Sequence, residues 1–117
     1  MLAAKNRLRK QKDIDLVLKE GKSSKDGFLV LKIIENRLDF CRFAFIVSKK
    51  VSKKASVRNK IRRKLREAVR LRIKDCEPGA DIIFLVLPGK MGKEELGQIE
   101  EHVDQLLRKN KILKQNV

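Results

Sequence analysis

The groups best suited to chemistry in this sequence are guanidinium and ammonium ions set at helical spacing. Arg58, Asn59, Lys60, Arg62, Arg63, Arg66 and Arg70 alternate with Ile61, Leu65, Ala68 and Val69. At about 100° per residue, Arg58, Asn59, Arg62, Arg63, Arg66 and Arg70 fall within an arc of roughly 140°, and the apolar residues occupy the adjoining side. Arg forks two donors onto a phosphate and keeps its charge at any physiological pH. Asn59 adds a neutral donor and acceptor for a base edge or a ribose hydroxyl. The chemistry offered is recognition of a polyanion. A face that only aids solubility mixes signs and gains i,i+4 ion pairs. Here Glu67 is the one acid between Arg42 and Lys74, against fourteen Lys or Arg, and it reads as a partner for Arg63 or Arg70. Lys49, Lys50, Lys53 and Lys54, just ahead of the helix, extend the cationic block.

Other chemistries find little support. His102 is the single histidine and lies among Glu100, Glu101 and Asp104, which reads as a surface position. No HExxH, phosphate-loop glycine pattern or nucleophile motif occurs. The Glu94-Glu95 and Glu100-Glu101 pairs read as the polar face of a helix, and two-metal phosphodiester cleavage needs carboxylates within the basic block. Cys41 and Cys76 are too far apart for a local zinc knuckle and read as buried, reduced thiols. No metal or cofactor is expected on the protein itself.

The whole chain of 117 residues carries a formal charge of +15, and the excess is patterned, since residues 75–117 hold six basic residues against eight acids. A field of this kind favours nucleic acid, because neutralised phosphates release condensed counterions. An anionic membrane attracts the same charge, but the basic helix has no large aromatic on its apolar side. No stretch is apolar for long enough to span a bilayer or serve as a signal peptide, so a cytoplasmic location is expected. With no Trp or Tyr and five Phe, the core must be mostly Val, Ile and Leu.

One domain covering residues 1–117 is expected from this length. Residues 1–11 are basic and predicted to be loosely ordered. Asp13 reads as the cap of a short helix carrying Ile14, Val17 and Leu18, which Gly21 stops. Residues 22–27 read as a polar linker. Residues 28–34, interrupted only by Lys32, and 40–48 read as two antiparallel strands joined by a turn. The spacing then predicts a helix over 57–75, ended by Pro78-Gly79. Residues 80–87 form a buried strand whose place after a helix suggests a parallel strand, helix, strand unit. Residues 93–113 carry an apolar stripe of Leu96, Ile99, Val103, Leu106 and Leu107, the signature of an amphipathic terminal helix. A strand and a Lys-rich loop precede the basic helix, whereas a helix-turn-helix DNA reader needs a helix there, so DNA is not the expected partner.

Arg58-Asn59-Lys60-Ile61-Arg62-Arg63, followed by Leu65-Arg66-Glu67 and Arg70, resembles the "RNR" signature of the protein subunit of bacterial ribonuclease P. Ser48-Lys49-Lys50-Val51 is similar to the strand end and loop before that signature, Asn6-Arg7-Leu8 with Asp13 through Gly21-Lys22 to the leader and first helix, and Gly79-Ala80-Asp81-Ile82-Ile83 to the strand after it. The resemblance spans nearly the whole chain. It implies an α/β (α+β) two-layer sandwich related to domain 2 of ribosomal protein S5, with a mixed four-stranded sheet and a left-handed βαβ crossover.

In function, the resemblance implies a subunit that helps remove the 5′ leader of precursor tRNA. The active site and its Mg²⁺ ions are then expected on the partner catalytic RNA. Lys49, Lys50, Lys53, Lys54, Arg58, Asn59, Lys60, Arg62, Arg63, Arg66 and Arg70 would bind RNA, and a cleft bounded by Ile14, Leu18, Phe28, Arg42, Phe43 and Phe45 would receive the leader. The sequence departs from the family pattern in several places. Ala44 and Ser52 stand where Gly is usual, the stretch 51–57 is one residue longer, Ile14 and Leu18 replace frequent Phe, and Lys60 replaces the second Arg. A ribosomal or RNA-chaperone protein with no part in cleavage is the alternative that the same charge and fold allow.

Overall fold

Four strands form one mixed sheet in the order β1-β2-β4-β3, with β1 at Lys22–Asp26, β2 at Leu29–Glu35, β3 at Arg42–Ile46 and β4 at Ala80–Val86. The computed structural model describes residues 2–89 and 93–114. Strands β1 and β2 are antiparallel, β2 and β4 are antiparallel, and β3 and β4 are parallel. Helix α1 spans Gln11–Glu20, α2 spans Ala55–Arg70, α3 spans Lys93–Gly97 and α4 spans Ile99–Lys109.

The apolar periods decide which face each element buries. Ile61, Leu65, Ala68 and Val69 of α2 and Ile99, Val103, Leu106 and Leu107 of α4 close over Leu29, Leu31, Phe43, Ile82, Phe84 and Val86 of the sheet, making the main core. A smaller cluster on the other face joins Val17 of α1 to Leu8 and Ile83, with Ile14, Leu18, Ile34, Ala44, Ile46 and Leu85 around it. The sheet with α2 and α4 gives the sandwich, and α1 partly covers the outer face. The β3-α2-β4 unit supplies the expected parallel pair.

Several local expectations change. Residues 22–27 are not a linker: Lys22–Asp26 is edge strand β1, polar because much of it faces water and charged edges resist pairing with other chains. It turns into β2 at Gly27, whose φ of 60° is the left-handed conformation that such hairpin turns require. The strands read as a hairpin, β2 and β3, run antiparallel but do not touch, because β4 lies between them. The basic α-helix starts at Ala55 and ends at Arg70, with a short 3-10 turn at Ile73–Asp75 after it. The terminal stripe is divided at Gln98 into α3 and α4. Gly21 stops α1 in extended backbone, with a φ of −67°. Its requirement is space, since a Cβ there would lie 2.5 Å from the Val17 carbonyl oxygen.

The amino-terminal segment, read as loosely ordered, packs along β3. Leu2, Asn6 and Leu8 are buried, Asn6 Nδ2 donates to the Cys41 carbonyl at 2.8 Å, and the Leu8 N–H donates to the Phe43 carbonyl at 2.8 Å. Lys5 adds its ammonium over the Phe40 ring, 5.6 Å from the centroid. After a 3-10 turn at Ala4–Asn6, the alternation Arg7-Leu8-Arg9 lets Leu8 enter the core while Arg9 stays wet.

Candidate nucleic-acid interface

Helix α2 presents its cations as its apolar period requires. With Ile61, Leu65, Ala68 and Val69 turned inward, Asn59, Lys60, Arg63 and Lys64 are exposed and Arg58, Arg62, Arg66 and Arg70 are half-buried along the flank. Lys49, Lys50, Lys53 and Lys54 are exposed in the preceding loop, so the structure brings loop and stripe into one cationic surface.

Within that surface the side chains differ in what they already hold. Arg58 Nη1 donates to the carbonyls of Ser52 and Lys53, at 2.9 and 3.0 Å, and so ties the loop to the helix. Arg62 donates to Asn59 Oδ1 at 2.5 Å, which orients both side chains on one flank. Arg70 takes Glu67 as its partner, with Nε 2.9 Å from Oε2. Its hydrogen bond holds the Glu67 carboxyl below the usual range, and the same bond raises the Arg70 guanidinium. Among the described residues Arg63 and Arg66 have neither an ion pair nor a side-chain hydrogen bond within the protein, leaving their forks open to phosphate.

Beside the stripe, at the outer edge of β3, lies a groove of about 390 Å³. Ile14 and Leu18 of α1, Phe43, Ala44, Phe45 and Ile46 of β3, Leu8 of the amino-terminal segment and Arg66 of α2 line it. Arg7 and Arg9 stand at its rim. Four of the six residues expected in a leader cleft are therefore together: Ile14, Leu18, Phe43 and Phe45. The other two are elsewhere. Phe28 lies at the β1–β2 turn, its ring edge-on to His102 with centroids 4.7 Å apart, because residues alternate faces along the hairpin and its turn packs on the main core. Arg42 is turned under α1, with Nε and Nη2 2.8 and 2.6 Å from the Asp81 carboxylate, whose hydrogen bond raises the guanidinium. Sequence reading missed Leu2, Arg7, Leu8, Arg9, Gln11 and Ile46 as groove residues. The alternation Arg7-Leu8-Arg9, the mark of an extended strand-like segment, was the available signal.

Residues outside this surface have structural partners. His102, expected on the surface, is half-buried against Gly27 and Phe28, with Nδ1 3.3 Å from Asp26 Oδ2. Cys41 and Cys76 are buried and unbonded to each other; burial pushes the Cys76 thiol up to about 12 and raises Cys41. The described residues gather no group of three metal-ligating side chains, and no helix among them is long and apolar enough to cross a membrane.

A family profile for Ribonuclease P matches residues 2–111. The ribonuclease P protein component of Pelotomaculum thermopropionicum is 37% identical over 105 residues, which cover 90% of this chain and 92% of the relative. That of Alkaliphilus oremlandii is 36% identical over 112 residues, 96% of each. Among solved structures, a Staphylococcus aureus RNase P protein mutant with defective mRNA degradation activity matches with a TM-score of 0.81 at 27% identity, covering 93% of this chain and 91% of that one. The RNase P protein from Thermotoga maritima matches with a TM-score of 0.73 at 29% identity, covering 88% and 96%. With sheet order, basic helix and edge groove in agreement with a match across nearly its whole length, this chain belongs to the ribonuclease P protein family.

Proposed function

We propose that this chain is the protein subunit of a ribonuclease P ribonucleoprotein, holding the catalytic RNA on α2 and its preceding loop and the 5′ leader of precursor tRNA in the groove at β3. The observation that carries the reading is the meeting of two unlike surfaces at Arg66, which belongs to the cationic stripe and also lines the groove. Guanidinium and ammonium groups with a single acid, Glu67, among them suit the phosphate backbone of a folded RNA. The groove has an apolar lining and a basic rim, which suits a single strand whose bases leave water while its phosphates stay near charge.

Hydrolysis is assigned to the partner RNA and the Mg²⁺ bound there. The protein supplies placement: it neutralises phosphate repulsion where RNA and substrate meet, and it fixes the leader relative to the RNA. His102 supports this division, since it lies at the β1–β2 turn against Asp26 and away from the groove lining. Reconstitution tests the reading. Protein and catalytic RNA together should cleave precursor tRNA at the mature 5′ end at a lower Mg²⁺ concentration than the RNA alone requires, and the protein alone should not cleave. Cleavage by RNase-treated protein that disappears on changing a carboxylate would overturn it.

A further inference from the structure

Helix α1 is tied to the sheet at both ends by cations carried on the sheet face beneath it. At its C-terminal end Lys32 Nζ donates to the Leu18 carbonyl at 2.9 Å. That carbonyl is among those the end of a helix leaves without an intrahelical partner, and it lies at the negative pole of the helix. At the other end Arg42, bound to Asp81, directs Nη1 to Asp13 in the first turn of α1, at 3.5 Å. Asp81 is buried and also accepts from Asn36 Nδ2 at 2.8 Å, so the base of this anchor is rigid. Lys32 pairs with Ile83 and Arg42 with Asp81 in the sheet register, which puts both cations on the face that Val17 covers.

Apolar packing fixes which face of α1 is inward but allows small slides along the sheet. The directional bond from Lys32 at one end and the Arg42–Asp13 ion pair at the other oppose such slides. Along this tethered helix, Gln11, Ile14 and Leu18 line the groove. We propose that Lys32, with Arg42 at the opposite end, is a positioning residue that sets the place of the α1 wall and hence the width offered to an extended single strand of RNA. The charge that interrupts the apolar run of β2 thereby acquires a role, although it touches no nucleotide. The inference rests on the reading that this groove holds the leader.

The test uses the reconstituted holoenzyme and two precursor tRNAs, one with a leader of several nucleotides and one with a single nucleotide. Lys32→Met keeps the apolar stem and removes the donor; Lys32→Gln is a milder second variant too short to reach, and thermal melting shows that each is folded. Both should bind the single-nucleotide substrate as the parent does. The parent's advantage for the long leader should fall by about two- to fivefold, the scale of one cation at a helix C-terminus, and Lys32→Arg should restore most of it. A parent with no long-leader advantage would refute the leader reading itself. A parent with that advantage and folded variants that retain it, or that weaken both substrates equally, would overturn the positioning role alone.

Discussion

Arg58 is bonded to the backbone of Ser52, its Nη1 lying 2.9 Å from the carbonyl oxygen, and the same nitrogen lies 3.0 Å from the Lys53 carbonyl. The first arginine of the signature is thus a clamp on the Lys-rich loop. Arg58→Lys keeps the charge and loses the guanidinium nitrogen that bridges both carbonyls, so RNA binding should weaken by about 0.5–1.5 kcal/mol for each hydrogen bond lost, while the slope of log affinity against log salt stays unchanged. Titrations at several salt concentrations check this. A lysine variant with parental affinity would show that the loop needs no clamp.

Arg63 and Arg66 should behave differently, because no described residue engages their guanidinium groups. Changing either to Ala should cost about 1.5–3 kcal/mol if a charge-assisted phosphate bond is lost, and should flatten the salt slope by about 0.7–0.9. Arg70→Ala should do less, since Glu67 already occupies that fork. Glu67→Gln should release Arg70 and steepen the slope. Unchanged slopes for both Arg63 and Arg66 would mean that the stripe faces solvent in the complex.

Leu18 lines the groove with an aliphatic side chain that offers no ring for stacking. Leu18→Phe should tighten holoenzyme binding of a substrate with a several-nucleotide leader, with stacking contributing about 1–3 kcal/mol per base, and leave a one-nucleotide leader unaffected. Crosslinks from a photoreactive leader nucleotide should map to Ile14, Leu18 and residues 43–46. Crosslinks confined to α4 would place the leader elsewhere.

Asp104 links α4 to the segment just after α2 through Arg72, at 2.9 Å, and also accepts from Arg108 at 2.7 Å. Burial alone would raise its carboxyl, but the bonds to Arg108 and Arg72 outweigh burial and hold it below the usual range. The sign follows: this stabilisation is complete above the unfolded value of about 3.9 and is lost as pH falls through the lowered folded value. Asp104→Asn should cost on the order of 1 kcal/mol at neutral pH, after solvent screening of a partly exposed pair, and should reduce the loss of stability on acidification. Denaturation at a series of pH values between neutrality and about pH 3 measures both.

Cys76, with a thiol pushed up to about 12 by burial, should resist thiol reagents at pH 8 in the native protein and react only as fast as the surrounding structure opens. Cys41 should follow it, being buried with its Sγ 2.9 Å from the Glu77 carbonyl oxygen. Reaction of either at the rate of a free thiol would show that this part of the core is open.

Periodicity and charge were determined locally and could be read from the sequence. The arginine flank of α2, the stripe of α4, the strand character of β2, β3 and β4, and the family itself all follow from patterns a few residues long. Strand β1 was hidden because an edge strand with Lys22, Lys25 and Asp26 shows too little apolar alternation to separate it from a loop. Tertiary structure alone decided that β4 enters between β2 and β3, that the amino-terminal segment docks on β3, and that Phe28 faces His102 and not the groove. It also divided like residues by role, making Arg58 a clamp and Arg42 an anchor while Arg63 and Arg66 stay open. The physical reason is reach: a guanidinium bonds whatever acceptor lies about 3 Å away, and for Arg42 that acceptor, Asp81, is thirty-nine residues distant along the chain.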